Sequence, residues 1–577
     1  MKHLQLGIAL IVLVAALHGR SLTYGLMLDD NNHRAELRAG DWSLRSLVDA
    51  SHLGGPQRRV GMWWQDEADQ YFFRPVAFLL MRCEYVLGSW RPAVMHGFSL
   101  AWTAACGLLV MVLARSTGLR GFWPILAGGL FVLHPANTLT TQWIACQNEQ
   151  MVTAFLLLGL LCYAQHAGWR WSEYRLGHPG SRKWLVVSVL CFAAALGCRE
   201  TGIVFLPLVL LGDFLFRRDG LGKRWGVYAV MVILLAGYFA VRHAMLGPLT
   251  IPGPPYAYLP STPGFARFVV DKFVYYVLGL FALVPIVGFA GMEQLRAQPA
   301  AFYGAFAVVA GTWGLLMAWL RPPKVVWLWL ALAILPLGPV LPVFASSHHL
   351  FMASTGMVLA VVTVVQALWR IVADFAPRAR RVARSMLSIA MGIYGLAALG
   401  LTLIGGAGLA GFFAISELPA REAVSLSRPF KPGDRLFFVN LPPLAFNCIP
   451  AIEESSGVRP LTGYALTFSP EFLGMDEPGY VERVGERQLR VWTAGSGYFG
   501  GLMGRSMLQA IGRDRPFATG EQFETPDFHV EVLRGDSSGT RDLLFTFVRP
   551  LDDPSYHFLV GSRQFTAYPL RLAADGK

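Results

Sequence analysis

Charge is scarce in this chain. Only 15% of its 577 residues are Asp, Glu, Lys or Arg, where soluble domains run near a quarter. With 54% hydrophobic residues and a mean hydropathy of +0.45, this excludes an ordinary water-soluble protein and points to lipid as solvent. Cysteine is also sparse. Seven are scattered without a CxxC pair: Cys83, Cys106, Cys146, Cys162, Cys191 and Cys198 lie in or near apolar segments, and Cys448 stands alone. That excludes a disulfide framework and a thiolate zinc site. A small-residue cleavage site is missing after the N-terminal apolar run, and hydrophobicity resumes through Leu28. The run therefore reads as an uncleaved first transmembrane helix, not a signal peptide. There is no internal repeat or low-complexity tract.

Long apolar runs are what the chain has in abundance. A hydrocarbon core of about 30 Å needs roughly 20 apolar residues per helix. Candidate spans fall near 4–28, 94–114, 121–134, 149–167, 184–198, 201–216, 225–245, 267–290, 300–320, 325–345, 349–374 and 387–415. The expected fold is an α-helical polytopic membrane protein of about 11–12 transmembrane helices over 1–415, with residues 25–93 as a long first external loop. The net charge of +12 does not indicate a nucleic-acid partner. Its basic residues cluster between apolar runs, at Arg115 to Arg120, Arg170 to Lys183, Arg217 to Arg224 and Arg370 to Arg384, which is the positive-inside pattern. Placing every cluster inside requires 267–290 to be re-entrant or interfacial, which Asp271, Lys272 and Pro285 would tolerate.

From residue 421 the character changes. Apolar runs shorten to strand length at Arg435–Leu441, Gln488–Trp492, Phe528–Leu533, Leu543–Val548 and Tyr556–Val560, separated by turn residues. Residues 421–577 read as a mainly β, extracytoplasmic domain. Trp492, Tyr498 and Phe499 near glycines are either a sugar platform or part of its core.

Polar residues at the external ends of the spans carry the chemistry. Asp29 and Asp30 follow the first helix at the water boundary. Crowded carboxylates beside a low-dielectric wall repel, raising the pKa of one, which suits a general base; a solvated helix end looks the same in sequence. Trp63, Trp64, Tyr71, Phe72 and Phe73 surround Asp66, Glu67 and Asp69, as an interfacial belt or a sugar-stacking surface. The Arg74 guanidinium is shaped to hold a phosphate with two donors. Arg199-Glu200 sits between two short spans, where an ionisable pair faces the protein interior, as a structural ion pair or a functional one. Arg242-His243 and His348-His349 are weaker versions of that signal, and adjacent histidines without further ligands make no metal site.

These elements together resemble the GT-C superfamily of membrane glycosyltransferases, closest to the protein O-mannosyltransferases and their bacterial relatives. The resemblance rests on Leu28-Asp29-Asp30, then Phe73-Arg74-Pro75-Val76, similar to a family Tyr-Arg-Pro-Leu. It continues through His96, His134-Pro135 leading to Trp143-Ile144, and Arg199-Glu200-Thr201-Gly202, followed by Pro207 and Asp213. It covers about residues 1–220, fades over the later helices and leaves out the C-terminal domain. The resemblance implies a polyprenyl-phosphate-linked sugar as donor, a protein or glycan acceptor on the external face, and no metal or other cofactor. It implies Asp29 as catalytic base with Asp30 positioning the acceptor. Arg74, His96 and Arg199 are then the candidates for the donor phosphate, and His134, Glu149, Glu200 and His348 support the site. An inner (cytoplasmic) bacterial membrane with the site facing outside is the expected location.

The chain departs from the family at two places. Cys146-Gln147-Asn148-Glu149 stands where Gly-Arg-x-Asp is frequent, and Ser347-His348-His349-Leu350-Phe351 where Glu-Arg-Tyr-Leu-Tyr is frequent. Two arginines are missing, which leaves a different donor or lost activity open. Two readings from other classes also stand beside the enzyme: a flippase for lipid-linked glycans, which would favour inverted repeats and midplane sites, and an inactive scaffold.

Overall fold

The computed structural model describes residues 2–52, 60–64, 72–169, 181–217, 221–248, 257–469, 479–495, 497–500, 508, 513, 515–561 and 567–570. Asp66, Glu67, Asp69 and Tyr71 of the first loop lie outside them. The chain forms two compact units, each assembled from separated stretches. The first comprises Met1–Thr23, Phe73–Leu249 and Gly264–Leu409; the second comprises Tyr24–Phe72, Thr250–Pro263 and Ala410–Lys577.

The first unit is helical. Among the described residues, seven helical stretches of the chain are long and apolar enough to cross a membrane: Gln5–Thr23, Pro92–Ser116, Ile144–Ala167, Trp225–Leu246, Pro299–Leu320, Ser347–Asp374 and Pro377–Ser425, with shorter apolar helices at Trp123–Leu133 and Val325–Val340. The protein is an integral membrane protein. Local chemistry sets the helix ends. Proline occupies the first turn of Pro75–Leu87, Pro92–Ser116 and Pro299–Leu320, where its missing N–H costs nothing. Gly168 closes Gln147–Ala167 in the left-handed conformation. His134, extended before Pro135, ends Trp123–Leu133. The expected span 201–216 differs from expectation: it opens with a 3-10 turn, Glu200–Val204, and leaves a helix Phe205–Phe216 of 12 residues, about 18 Å long.

The ends of this unit are chemically distinct. Trp169, after the helix Gln147–Ala167, donates to Asp213 near the end of Phe205–Phe216 at 2.7 Å. Arg224 lies over the Tyr163 ring, and Trp123 meets Trp369 edge-on with ring centroids 6.0 Å apart. The basic clusters around Arg115, Arg217 and Arg380 therefore share one end. At the opposite end lie the turns that follow Leu133, Cys198 and Val340. The helix Phe265–Ala282, drawn from the expected span 267–290, makes its polar contacts at that opposite end. Tyr276 bonds to Ser346 and His349, and the Leu280 carbonyl meets His134.

The second unit carries two five-stranded sheets. Its strands are β1 (Gly61–Met62), β2 (Arg435–Val439), β3 (Thr462–Ala465), β4 (Gly479–Arg483), β5 (Gln488–Thr493), β6 (Gln522–Glu524), β7 (Phe528–Asp536), β8 (Gly539–Phe547), β9 (Tyr556–Gly561) and β10 (Ala567–Pro569). The first sheet runs β1-β3-β2-β9-β10 and the second β4-β5-β8-β7-β6. Central β2 pairs in parallel with β3 and β9 and is buried continuously from Leu436 to Val439, as a strand covered on both faces must be. The second sheet is antiparallel and alternates: Leu489, Val491, Phe528, Val530, Val532, Leu543, Phe545 and Phe547 point into the core. All five apolar runs expected after residue 421 form strands.

Two of the first-loop aromatics, Trp63 and Trp64, pack in this core, whereas Phe73 belongs to the first unit and lies against Tyr238. β1 pairs with β3 through Gly61 with Tyr464 and Met62 with Ala465. Trp63 is buried, donates to the Leu466 carbonyl at 3.0 Å and stacks on Phe517 at 4.7 Å. It is neither an interfacial belt nor a sugar surface. Tyr498 and Phe499 are fully buried too, so two of the three residues of the possible sugar platform are core. Trp492 is half-buried and stacks on Tyr480 at 4.1 Å.

Candidate functional site

Four ionisable side chains from three separate stretches meet in the first unit. The helix Arg182–Cys198 ends at Arg199, whose backbone is extended, and the chain turns at once into Glu200–Val204. Glycines permit this. A Cβ at Gly202 would sit 2.8 Å from the Ala195 carbonyl carbon, and one at Gly197 would collide with Val76. Both positions demand close backbone approach. The Gly197–Val76 packing brings Arg74, just before the helix Pro75–Leu87, beside the break.

Arg74 Nη2 then lies 3.2 Å from Glu200 Oε2. Arg199 Nε lies 3.0 Å from Glu149 Oε1, and Arg199 Nη1 donates to Asn148 Oδ1 at 2.8 Å. Two guanidinium groups and two carboxylates form an alternating set. Burial makes pairing obligatory: Arg199 is 7% and Glu149 2% exposed, and an unpaired charge there would carry a desolvation cost of several kcal/mol (roughly). The outer pair is more open, the Glu200 side chain retaining 39% of its exposure. Arg199 is thus locked by two partners, while Arg74 holds a partner that reaches solvent.

Around this set, Gln147 donates to the Met95 carbonyl at 3.0 Å, fixing the turn that carries the fully buried His96. His348 Nδ1 bonds Ser346 Oγ at 2.7 Å, and its ring lies 6.3 Å from Trp143, edge-on. His134 has a structural task. Its Nδ1 accepts from the Ala136 N–H at 3.3 Å while Nε2 meets the Leu280 carbonyl at 3.1 Å, so both ring nitrogens are engaged in holding the broken helix. Three residues here were not singled out from sequence as site residues: Asn148, Lys272 and Tyr276. Buried Lys272 Nζ donates to the carbonyls of Val340 and Val343, and to that of Phe344 at 2.9 Å, clamping the loop that leads to His348. The signal available was a lysine flanking the apolar stretch 273–282, one turn before a tyrosine within it.

Asp29 and Asp30 belong to the second unit. They open the helix Asp29–Ala39, where the helix dipole favours carboxylates. Asp30 is fully buried and its Oδ2 accepts the Met27 N–H at 3.0 Å, which ties it to the local turn. Half-buried Asp29 accepts from Asn447 Nδ2 at 3.1 Å. The segment before them is held by Glu417, which accepts from Leu26 N–H at 3.0 Å, and Ser416, which accepts from Leu28 N–H at 3.2 Å. Arg34 and Arg38 both pair with Glu454, binding Asp29–Ala39 to the helix Cys448–Ser456.

No family model matches the chain. It is similar to the human protein O-mannosyl-transferase TMTC2, with 27% identity over 147 residues covering 25% of this chain and 17% of that one. It is also similar to the Drosophila melanogaster protein O-mannosyl-transferase Tmtc1, with 27% identity over 209 residues, 35% of this chain and 22% of that one. The chain thus matches about a fifth of the length of these curated relatives. Among solved structures, ArnT from Cupriavidus metallidurans bound to undecaprenyl phosphate shares 15% identity at a TM-score of 0.40, covering 79% of this chain and 85% of that one. The apo oligosaccharyltransferase of Archaeoglobus fulgidus shares 11% at a TM-score of 0.41, covering 80% and 64%. The chain is an integral membrane protein that resembles the protein O-mannosyltransferases.

Proposed function

We propose that this protein is a membrane glycosyltransferase that moves a sugar, mannose by analogy with the curated relatives, from a polyprenyl-phosphate carrier to a hydroxyl of a protein acceptor. The observation that carries the reading is the buried Arg199–Glu149 pair with the more open Arg74–Glu200 pair beside it, at the end of the bundle opposite the basic clusters. By the positive-inside rule that end faces outside, on the outer side of a bacterial cytoplasmic membrane. Arg74 receives the donor phosphate, exchanging its bond to the solvent-reaching Glu200 for one to phosphate oxygen. Arg199, held by Glu149 and Asn148, keeps the potential positive, and His96 and His348 complete the wall.

Asp29 is the base. As the acceptor oxygen bonds to the anomeric carbon, its proton passes to the Asp29 carboxylate. The bond from that carbon to the phosphate oxygen breaks, and polyprenyl phosphate leaves with one more negative charge. Cations placed where charge develops lower the barrier. Asp30, committed to its turn, positions its neighbour.

The test uses membranes containing the full chain and a polyprenyl-phosphate mannose labelled in the sugar. Transfer to acceptor protein is expected from the wild type, with Asp29→Asn losing about 100-fold or more, in the range that general-base contributions reach. Full transfer by Asp29→Asn would reject the assigned base. Movement of label across the bilayer without transfer identifies a flippase, and neither outcome identifies a scaffold.

A further inference from the structure

A cavity with both polar and apolar walls lies at the basic end of the helical unit, far along the chain from the transferase residues. It has a volume of about 580 Å³ and is lined by Trp369, Arg380, Arg381, Arg384, Ser385 and Ser388. Trp369 is in the last turn of the helix Phe351–Ile371, and the arginines and serines occupy the start of Pro377–Leu426.

The charge balance there is one-sided. Residues 370–389 hold five arginines, at 370, 378, 380, 381 and 384, against one acid, Asp374. Among the described residues none of the five pairs with a carboxylate. Arg380 donates instead to the Phe375 carbonyl. The Arg384 guanidinium lies 5.1 Å from the Trp369 ring centre, and its Nε is shut from solvent without a hydrogen-bond partner. Guanidinium forks and serine hydroxyls converging without protein anions suit a phosphodiester.

The surroundings name the source of that phosphate. Val382, Met386, Ile389, Ile393 and Leu396, beginning among the arginines, recur at alternating spacings of four and three, which is one helix face, and each is at least 60% exposed. Such a stripe faces acyl chains. Phe122, Trp225, Trp319 and Trp327, also exposed, sit at the helix termini of the same end, as residues at a bilayer–water boundary do. A lipid whose headgroup enters the cavity would lay its chains along the stripe.

We propose that this cavity is a headgroup site for an anionic glycerophospholipid of the inner leaflet, with Arg380, Arg381 and Arg384 on its phosphate and the stripe from Val382 to Leu396 along its chains. The site is separate from the donor site and does not depend on the proposed transferase activity.

Native mass spectrometry of the full chain in detergent, titrated with phosphatidylglycerol or with phosphatidylcholine of the same acyl chains, tests it. The wild type is expected to favour phosphatidylglycerol at least ten-fold. A basic residue at an anionic surface is worth about a factor of five, so Arg380→Gln, Arg381→Gln and Arg384→Gln together are expected to weaken it on the order of 100-fold. The corresponding triple lysine variant keeps the inside charge that orients the helices but not the guanidinium forks, and it is expected to lose several-fold. Unchanged preference in both triple variants overturns the proposal. So does an equal loss in Arg182→Gln with Lys183→Gln, exposed at the same end outside the cavity. Displacement of the lipid by inorganic phosphate at matched concentration would show a free-anion site and overturn it as well.

Discussion

Glu149 and Glu200 each pair with an arginine, yet the structure assigns them different energetic weights. Glu149 is 2% and Arg199 7% exposed, and Nε lies 3.0 Å from Oε1. At an effective dielectric of about 20, two unit charges at that distance attract by roughly 5 kcal/mol. Removing one member of a buried pair strands the other, at about 3–5 kcal/mol. Glu149→Gln is therefore expected to destabilise the helical unit by about that amount, because Asn148 alone remains for the Arg199 charge. Glu200→Gln acts on a side chain with 39% exposure, so about 0–1 kcal/mol is expected. The double variant Glu149→Gln, Arg199→Met removes the stranded charge and should recover most of the loss. Six of the seven cysteines are buried, so a thiol-reactive fluorophore reads thermal unfolding in detergent directly. The expected order of midpoints is wild type near Glu200→Gln, then the double variant, then Glu149→Gln well below. Equal shifts for the two single variants, or a double variant no better than Glu149→Gln, would refute the reasoning.

Gly197→Ala should force the Val76 side chain away, costing about 1–3 kcal/mol and lowering sugar transfer because Arg74 moves with its helix; unchanged transfer and melting would contradict this. Trp63→Ala empties a buried aromatic site in the β core, with about 3–5 kcal/mol expected. Hydrogen exchange should then quicken in β2 and β3, whereas faster exchange confined to the helices would count against it. His557 Nε2 bonds Asp434 at 2.8 Å; burial lowers its pKa, with Asp434 opposing. The fold favours the neutral ring, so this contribution is complete above about pH 6.5 and is lost as pH falls below that value. Exchange of β2 and β9, corrected for intrinsic rates, should be faster at pH 5 than at pH 7.5, and the difference should vanish in His557→Gln. Greater protection at pH 5 would reverse the assigned sign.

Much of the fold was legible because it is written in periodicity. The strands β2, β5, β7, β8 and β9 each announce themselves as short apolar runs between turn residues, and apolar length marks the spanning helices. Hydropathy lost the ends. The expected span 387–415 is only the apolar middle of Pro377–Leu426, whose arginine-rich start and Glu417 continue the helix where lipid compatibility stops. β1 was illegible for another reason: two residues pair in parallel with a strand some 400 positions away, and local pattern cannot encode that partner. Trp63 looked interfacial since an aromatic cluster beside a membrane helix and a fragment of a distant core have the same composition. Within the site, Arg199-Glu200 was visible as an ionisable pair, but its cross-pairing with Glu149 and Arg74 depends on close approach at Gly197 and Gly202. Lys272 stood out only as a polar residue in an apolar span; its clamping role went unrecognised because its partners are backbone carbonyls, which leave no trace in side-chain identity.

The docking place of the carrier lipid's phosphate decides between a donor site at Arg74 and any other. A polyprenyl phosphate bearing a photoreactive group next to its phosphate, irradiated with the full chain in membranes and mapped by peptide mass spectrometry, reports this directly. Labelling is expected in the peptides around Arg74, Trp143 to Glu149 and Arg199, and is expected to fall in Arg74→Gln. Labelling confined to the arginines at 370–384, or labelling indifferent to Arg74, would contradict the assignment of the donor site.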